Sequence, residues 1–224
     1  EIEYRGRKDT LPFPRFAGSW YHWTKVHDTG NIMFACKIWG LRSTDIMQGV
    51  VYGTRTDDII DDRLLTRFDF DEVWGTALNR FVAQAIIGHT LTPYGLGGQT
   101  RGFIALRDSM QCLTLATENP PEKGEYRVFN QFDETYSVNE LAEKVLKVGK
   151  KLGYDVKVKH PENPRVEAEE HYYNPDHEGL YKLGFKPIHP LEKELEIMFK
   201  DLERFRDRIL RKKDRIMPTV YWRK

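Results

Sequence analysis

Tyr21-His22-Trp23-Thr24-Lys25 places a phenol and an ammonium four residues apart. On a helix, residues at that spacing share a face, so both groups can address one reacting centre. A nearby ammonium favours the phenolate over the phenol, whose ordinary pKa is about 10. The pair therefore suits proton transfer to and from an alcohol that is being oxidised to a ketone. Tyr4 and Lys8 repeat the spacing, but Gly6 lies between them and no helical periodicity surrounds them, so they are set aside. His22 adds an imidazole with an ordinary pKa near 6.5, able to move a second proton at neutral pH. Adjacent helical residues point about 100° apart. His22 is thus either a second catalytic group or a helix-face histidine bonded to backbone or solvent.

Local signals say which elements must position these groups. Ser19 is an N-cap, and a helix runs to Trp39 with Gly40 as its C′ residue. Asp28-Thr29-Gly30 interrupts its pattern and marks a place for a bend. Leu41 to Val51 reads as a strand whose end, Gln48-Gly49-Val50-Val51, lies at the carboxyl edge of the sheet, where open α/β sheets bind ligands. Thr54 to Asp71 reads as an acidic loop, Val73 to Ile87 as a helix stopped at Gly88, and Thr90 to Tyr94 as a short strand. Gly95-Leu96-Gly97-Gly98 is a turn that lets backbone approach a ligand closely. A strand (Arg101 to Leu106), a helix (Asp108 to Thr117) and a strand (Glu125 to Asn130) follow. Ser137 and Glu140 form a capping box opening a helix to Leu152. Tyr154 to Lys159 reads as a strand, a short helix ends near Leu183, and a long helix runs from Leu191 to about Lys213. The charge run Lys193 to Arg215 reads as a solvated face, and Trp20, Trp23 and Trp39 as core. The mixture predicts an α/β fold.

Composition narrows the function classes. The chain has 224 residues, a formal net charge of +1 and 31% charged residues, which fits one or two small domains. Such a balance gives no support for a nucleic-acid or membrane-surface role. No apolar run approaches the 18 residues of a spanning helix. Cys36 and Cys112 make no disulfide framework, and a cytoplasmic setting is the simplest expectation. His171 and His177 lie near Glu169, Glu170 and Asp176, but their spacing matches no zinc signature, so no metal is expected.

The stretch from Tyr21 to Gly53, YHWTKVHDTGNIMFACKIWGLRSTDIMQGVVYG, resembles the extended short-chain dehydrogenase/reductase family of nucleotide-sugar enzymes. The blocks PYGLGGQTRGFIALRDSMQC (93–112) and NPRVEAEEHYYN (163–174) are similar to its sulfosugar-forming branch. The resemblance implies a Rossmann-like NAD-binding domain, of which 1–53 and 101–130 are the remainder, and an α/β nucleotide-sugar domain from 54–100 and 131–224. It implies NAD as cofactor, UDP-glucose and sulfite as substrates, and a homodimer. Tyr21 is then the acid/base on a sugar hydroxyl and Lys25 a ligand of the nicotinamide ribose, with Gln48 and Val50 also beside the cofactor. Gln48 stands where many relatives have an Asn, and its amide can donate and accept to a sugar or diphosphate. Gln99, Arg101 and Arg165 are the diphosphate candidates, since a guanidinium gives bidentate bonds to phosphate. Thr76, Arg80 and Tyr94 fall where relatives line the nucleotide pocket, and Glu167 is an acidic candidate for the ribose. The glycine-rich phosphate turn of the family is not in the sequence, so the chain is expected to be the carboxyl-terminal part of a longer protein. Two other readings remain open: a UDP-sugar 4-epimerase or 4,6-dehydratase with the same first step, and a non-catalytic carbohydrate-processing subunit.

Overall fold

A computed structural model of the chain describes residues 1–11, 13–65, 67–164 and 172–218. They form two compact units, one of Glu1–Ile46 with Thr117–Phe129 and one of Met47–Ala116 with Asn130–Lys224.

The first unit opens with an antiparallel hairpin, β1 (Ile2–Tyr4) and β2 (Arg7–Asp9), turned at Arg5-Gly6. Tyr4 and Lys8 lie on its two strands, so they form no helical pair. Helix α1 (Trp20–Trp39) has the expected bounds. Ser19 caps it by accepting from the His22 N–H, and Gly40 closes it in a left-handed conformation with its N–H on the Cys36 carbonyl. The helix runs unbroken through Gly30. Its inward stripe is Trp23, Val26, Thr29, Ile32, Ala35 and Cys36, while Tyr21, Lys25, Met33, Phe34 and Ile38 face outward. Trp20 and Trp39 are 84% and 69% exposed, so the expectation of a tryptophan core fails for both. They are the first and last residues of α1, at its two ends, whereas Trp23 lies one turn in and packs against Phe16 and His27.

The strand expected over 41–51 is two strands, β3 (Ser43–Gln48) and β4 (Val50–Tyr52), broken at Gly49. β3 pairs with β6 (Tyr126–Gln131), beginning with the Ser43 N–H on the Glu125 carbonyl. In the second unit, β4 runs parallel to β5 (Thr100–Ala105), and β5 runs antiparallel to β7 (Glu134–Ser137), a strand with no counterpart in the sequence reading. Helix α3 (Leu106–Glu118) follows β5 directly. The helices α2 (Ala77–Ile86), α4 (Val138–Lys151) and α6 (Leu191–Glu203) pack together around Leu78, Phe81, Val82, Leu141, Val145, Leu195, Met198 and Phe199.

Three differences from the sequence reading have local causes. Helix α2 begins at Ala77 rather than Val73, because Asp71 takes the Val73 and Trp74 N–H groups in a turn and Thr76 then caps the helix. The two strands expected at 90–94 and 154–159 reduce to one bridge between Leu91 and Val158. The ladder stops there because Leu91 turns its N–H and carbonyl to 157–159, and the next residue facing that side is Pro93, which has no N–H to donate. Thr92 faces the other edge, where Gln84 and Arg80 of α2 take its N–H and carbonyl. The final helix is split into α6 and α7 (Arg206–Arg211) by a turn at Arg204-Phe205, preceded by the short α5 (Glu178–Lys182). Its charge run is not wholly solvated. Glu194 is buried on Arg107 at 2.6 Å, and Asp201 is buried on Arg55 at 2.6 Å and on the Thr54 hydroxyl.

Candidate active site

Within the first unit, the Ser19 cap fixes the entry into α1 and so fixes Tyr21, His22 and Lys25 one turn later. Both catalytic candidates are exposed, Tyr21 at 59% and the Lys25 side chain at 57%. The Lys25 ammonium lies 5.8 Å from the centre of the Tyr21 ring, which is the shared face that the spacing predicts. It also donates to Asp28 at 2.7 Å. That hydrogen bond, with the carboxylate charge behind it, holds the lysine pKa above its ordinary value and keeps the group a cation. His22 stacks edge-on against Tyr21 with ring centres 5.3 Å apart. Its Nδ1 lies 2.7 Å from the Ser19 hydroxyl, so the cap engages one ring nitrogen and any chemistry falls to Nε2.

Behind this face, Asp45 of β3 accepts from the Tyr126 hydroxyl of β6 at 2.5 Å and from Thr29 of α1 at 3.2 Å. Burial first, and the Asp45 carboxylate second, push the Tyr126 phenol up to about 12. Neither Asp28 nor Asp45 was anticipated. The i, i+3 step from Lys25 is a sequence signal that could have found Asp28. Asp45 and Tyr126 meet only through strand pairing, which local spacing does not encode.

In the second unit, two glycines bring the backbone of the ligand candidates together. A Cβ on Gly49 would lie 2.7 Å from the Gly102 carbonyl oxygen, and one on Gly102 would lie 2.6 Å from Phe132 and 2.8 Å from the Tyr173 hydroxyl. The β4–β5 register sets Val50 opposite Phe103, which carried back two residues sets Gln48 opposite Arg101. Both are exposed at that edge, and Arg101 donates to the Thr100 carbonyl. Val50 is half-buried and packs against the apolar core.

Thr76 accepts from the Asn79 N–H as the N-cap of α2. Arg80 is not a surface charge. It is 3% exposed, donates to the Thr92 carbonyl at 3.1 Å and lies 4.0 Å over the buried Tyr94 ring. Gln99 is buried, and its carbonyl receives the first N–H of α4. Arg165 and Glu167 lie outside the described residues, as do His171, Glu169 and Glu170. Two open depressions in this unit, beside Trp74 and beside Arg55, are lined by none of these candidates.

Known proteins put a frame around this geometry. No family model matches the chain. It is 57% identical over its full 224 residues to a UDP-sulfoquinovose synthase of Sulfolobus acidocaldarius, covering 57% of that protein. It is 52% identical over the same span to the chloroplastic UDP-sulfoquinovose synthase of Spinacia oleracea, covering 46% of it. The chain thus spans about half the length of the curated relatives it matches, and the resemblance read from three blocks extends over all of it. Among solved structures, it is similar to the UDP-glucose 4-epimerase of Thermotoga maritima with UDP-glucose, at a TM-score of 0.67 and 19% identity over 89% of this chain and 59% of that one. It is likewise similar to the Thermus thermophilus UDP-glucose 4-epimerase complex with NAD, at 0.63 and 17% over 89% and 58%. The fold is therefore the mixed α/β, Rossmann-like fold of the nucleotide-sugar epimerases.

Proposed function

We propose that the chain supplies the proton-transfer helix and the nucleotide-sugar unit of a UDP-sulfoquinovose synthase, which joins sulfite to UDP-glucose with NAD as a resident cofactor. The observation that carries this reading is the 57% identity to such a synthase over the full length of the chain. The epimerase neighbours support a UDP-sugar as the substrate class.

The residues of α1 fit a nicotinamide ribose: Tyr21 and Lys25 stand exposed on one stripe, and Lys25 is a cation with donors to offer. Val50, half-buried at the start of β4, would lie beside the cofactor as well. When bound, NAD would supply the hydride chemistry, taking hydride from C4 of the sugar and returning it at the end of the cycle. Tyr21 takes the proton of the 4-hydroxyl, and the Lys25 charge favours the phenolate that does so. The resulting 4-ketone acidifies the C5 proton. The C5 base takes that proton, the 6-hydroxyl leaves as water, and sulfite then adds at C6 of the resulting enone while the same base returns a proton to C5. Tyr21 then returns its proton to O4. Arg101 and Arg165 would hold the diphosphate and Gln48 the sugar, with Thr76, Arg80, Tyr94, Gln99 and Glu167 around the nucleotide. His22 would act through Nε2, either as the C5 base or, protonated, beside the incoming sulfite.

The test is to incubate the full-length protein with UDP-glucose, with and without sulfite, and to identify products by mass. A sulfite-dependent UDP-linked sulfosugar supports the reading. UDP-galactose or a 4-keto-6-deoxy sugar formed without sulfite would replace it with an epimerase or dehydratase, and absence of bound NAD would favour a non-catalytic subunit.

A further inference from the structure

Lys25 is the group whose charge must reach the Tyr21 hydroxyl, yet its ammonium makes its closest contact elsewhere. It donates to Asp28 Oδ2 at 2.7 Å, while the Tyr21 ring centre is 5.8 Å away. Tyr21, Lys25 and Asp28 form one outward stripe of α1 at steps of four and three. Both side chains of the ion pair are more than half exposed, and exposed pairs of this kind contribute almost nothing to stability. The pair therefore has little to do with holding the helix. Its effect falls on the field along the stripe.

We infer that Asp28 is a positioning residue that acts through Lys25, fixing where the ammonium sits and how much of its charge reaches the Tyr21 hydroxyl. The inference rests on the reading of Tyr21 as the acid/base. Among the described residues, few titratable groups face Lys25. On α1 they are Asp28 and Tyr21, and on β3 there is Asp45. Asp45 is already committed to the Tyr126 hydroxyl of β6 and to Thr29. Arg15 is the charged group felt from the segment before α1, at Tyr126. Asp28 is thus the carboxylate bonded to the ammonium itself. A carboxylate there partly cancels the lysine charge and opposes the phenolate. Without it the same ammonium acts undiminished on Tyr21, and the phenolate persists to lower pH.

The sign follows directly. The phenolate is the form that accepts the O4 proton, so turnover falls as pH drops and the phenol forms. Asp28→Asn in the full-length, NAD-loaded protein should move this acid limb down by roughly 0.5–1 pH unit, the scale for one charge at several ångströms in a solvated site. The readout is the pH profile of kcat with UDP-glucose and sulfite. Asp28→Glu restores the charge one methylene further out and should move the limb back toward wild type. Superimposable acid limbs for wild type and Asp28→Asn would overturn the inference, as would a limb shifted equally in Asp28→Glu, since the charge would then not be the cause. Failure of the underlying reading looks different: Tyr21→Phe would keep near wild-type turnover. An inactive Tyr21→Phe beside an unmoved Asp28→Asn profile sinks the role of Asp28 alone.

Discussion

The two groups that carry the proposed chemistry were legible because a helix converts sequence spacing into a shared face. Tyr21 and Lys25 need only α1 to be a helix, and α1 has its expected bounds, cap and C′ glycine. In the full-length protein, Tyr21→Phe should lower turnover by on the order of 10²-fold or more, the scale of general acid–base catalysis. Lys25→Ala should lose turnover and also release NAD more readily. Steady-state kinetics and cofactor retention on gel filtration check both, and near wild-type turnover in Tyr21→Phe would end the assignment. Arg101 is exposed at the β5 edge and donates to the Thr100 carbonyl at 2.8 Å, and on the proposed reading it also meets the diphosphate. Arg101→Ala should weaken UDP-glucose by roughly 1.5–3 kcal/mol, and UDP equally, because the contact is not with the hexose. A UDP dissociation constant that does not change would remove it from the site. What spacing could not reveal is Arg80. Resemblance places it at a nucleotide pocket, and the fold buries it over Tyr94 and uses it to bind the Thr92 carbonyl.

Among the elements, those with their own punctuation were readable and those that depend on distant side chains were not. α1 and α4 carry Ser caps and α4 a complete capping box, with Ser137 on the Glu140 N–H and Glu140 on the Ser137 N–H. Ser137→Ala should therefore cost about 1 kcal/mol, seen as a shift of the denaturant midpoint at constant slope. The strand expected at 90–94 had the right apolar residues, but after Leu91 its pairing edge meets Pro93, and its other edge is taken at Thr92 by Gln84 and Arg80 on α2. Pro93 stands in the sequence, but no local window contains the competition at Thr92. The break at Gly49 is of the same kind. The residue reads as part of a strand end, and its reason is the Gly102 carbonyl, 2.7 Å from where a Cβ would sit. Gly49→Ala should force β4 and β5 apart, cost about 1–3 kcal/mol as overpacking does, and disturb Gln48 and Arg101 together. A variant with unchanged stability and unchanged UDP affinity would show that the close approach is not needed.

At the scale of the whole molecule, the charged carboxyl-terminal region shows how a run that looks solvated can lock a fold. Asp201 on α6 is 5% exposed and receives Arg55 through Nε at 2.7 Å and Nη2 at 2.6 Å, the Thr54 hydroxyl at 2.6 Å and Arg204 at 3.1 Å. Burial alone would raise its pKa. The bonds to Arg55 and Thr54 outweigh it and hold the carboxyl below the ordinary 3.8. Asp61, Asp71, Glu140 and Glu192 are also held low, Asp61 by Arg63, Asp71 by backbone N–H groups against a burial cost, Glu140 by Ser137 and Glu192 by Lys144. A carboxylate depressed in the folded state contributes stability that is present above its unfolded pKa and lost as pH falls through the folded one. Glu194 and Asp133 run the other way, raised chiefly by burial, so they work against stability above about pH 4.5. The five depressed groups outnumber the two raised ones, so the chain should lose stability steeply below about pH 4. Asp201 is the most enclosed of the depressed set and should account for the largest share. Asp201→Asn should cost about 3 kcal/mol near pH 7, the low end for breaking a buried pair because Arg55 is itself partly exposed. It should also flatten the acid limb, because the group that titrates is gone. Thermal midpoints of wild type and variant from pH 3 to 7 test both effects at once: the two curves should converge as pH falls, and a constant gap across the range would mean that Asp201 acts by shape rather than by charge.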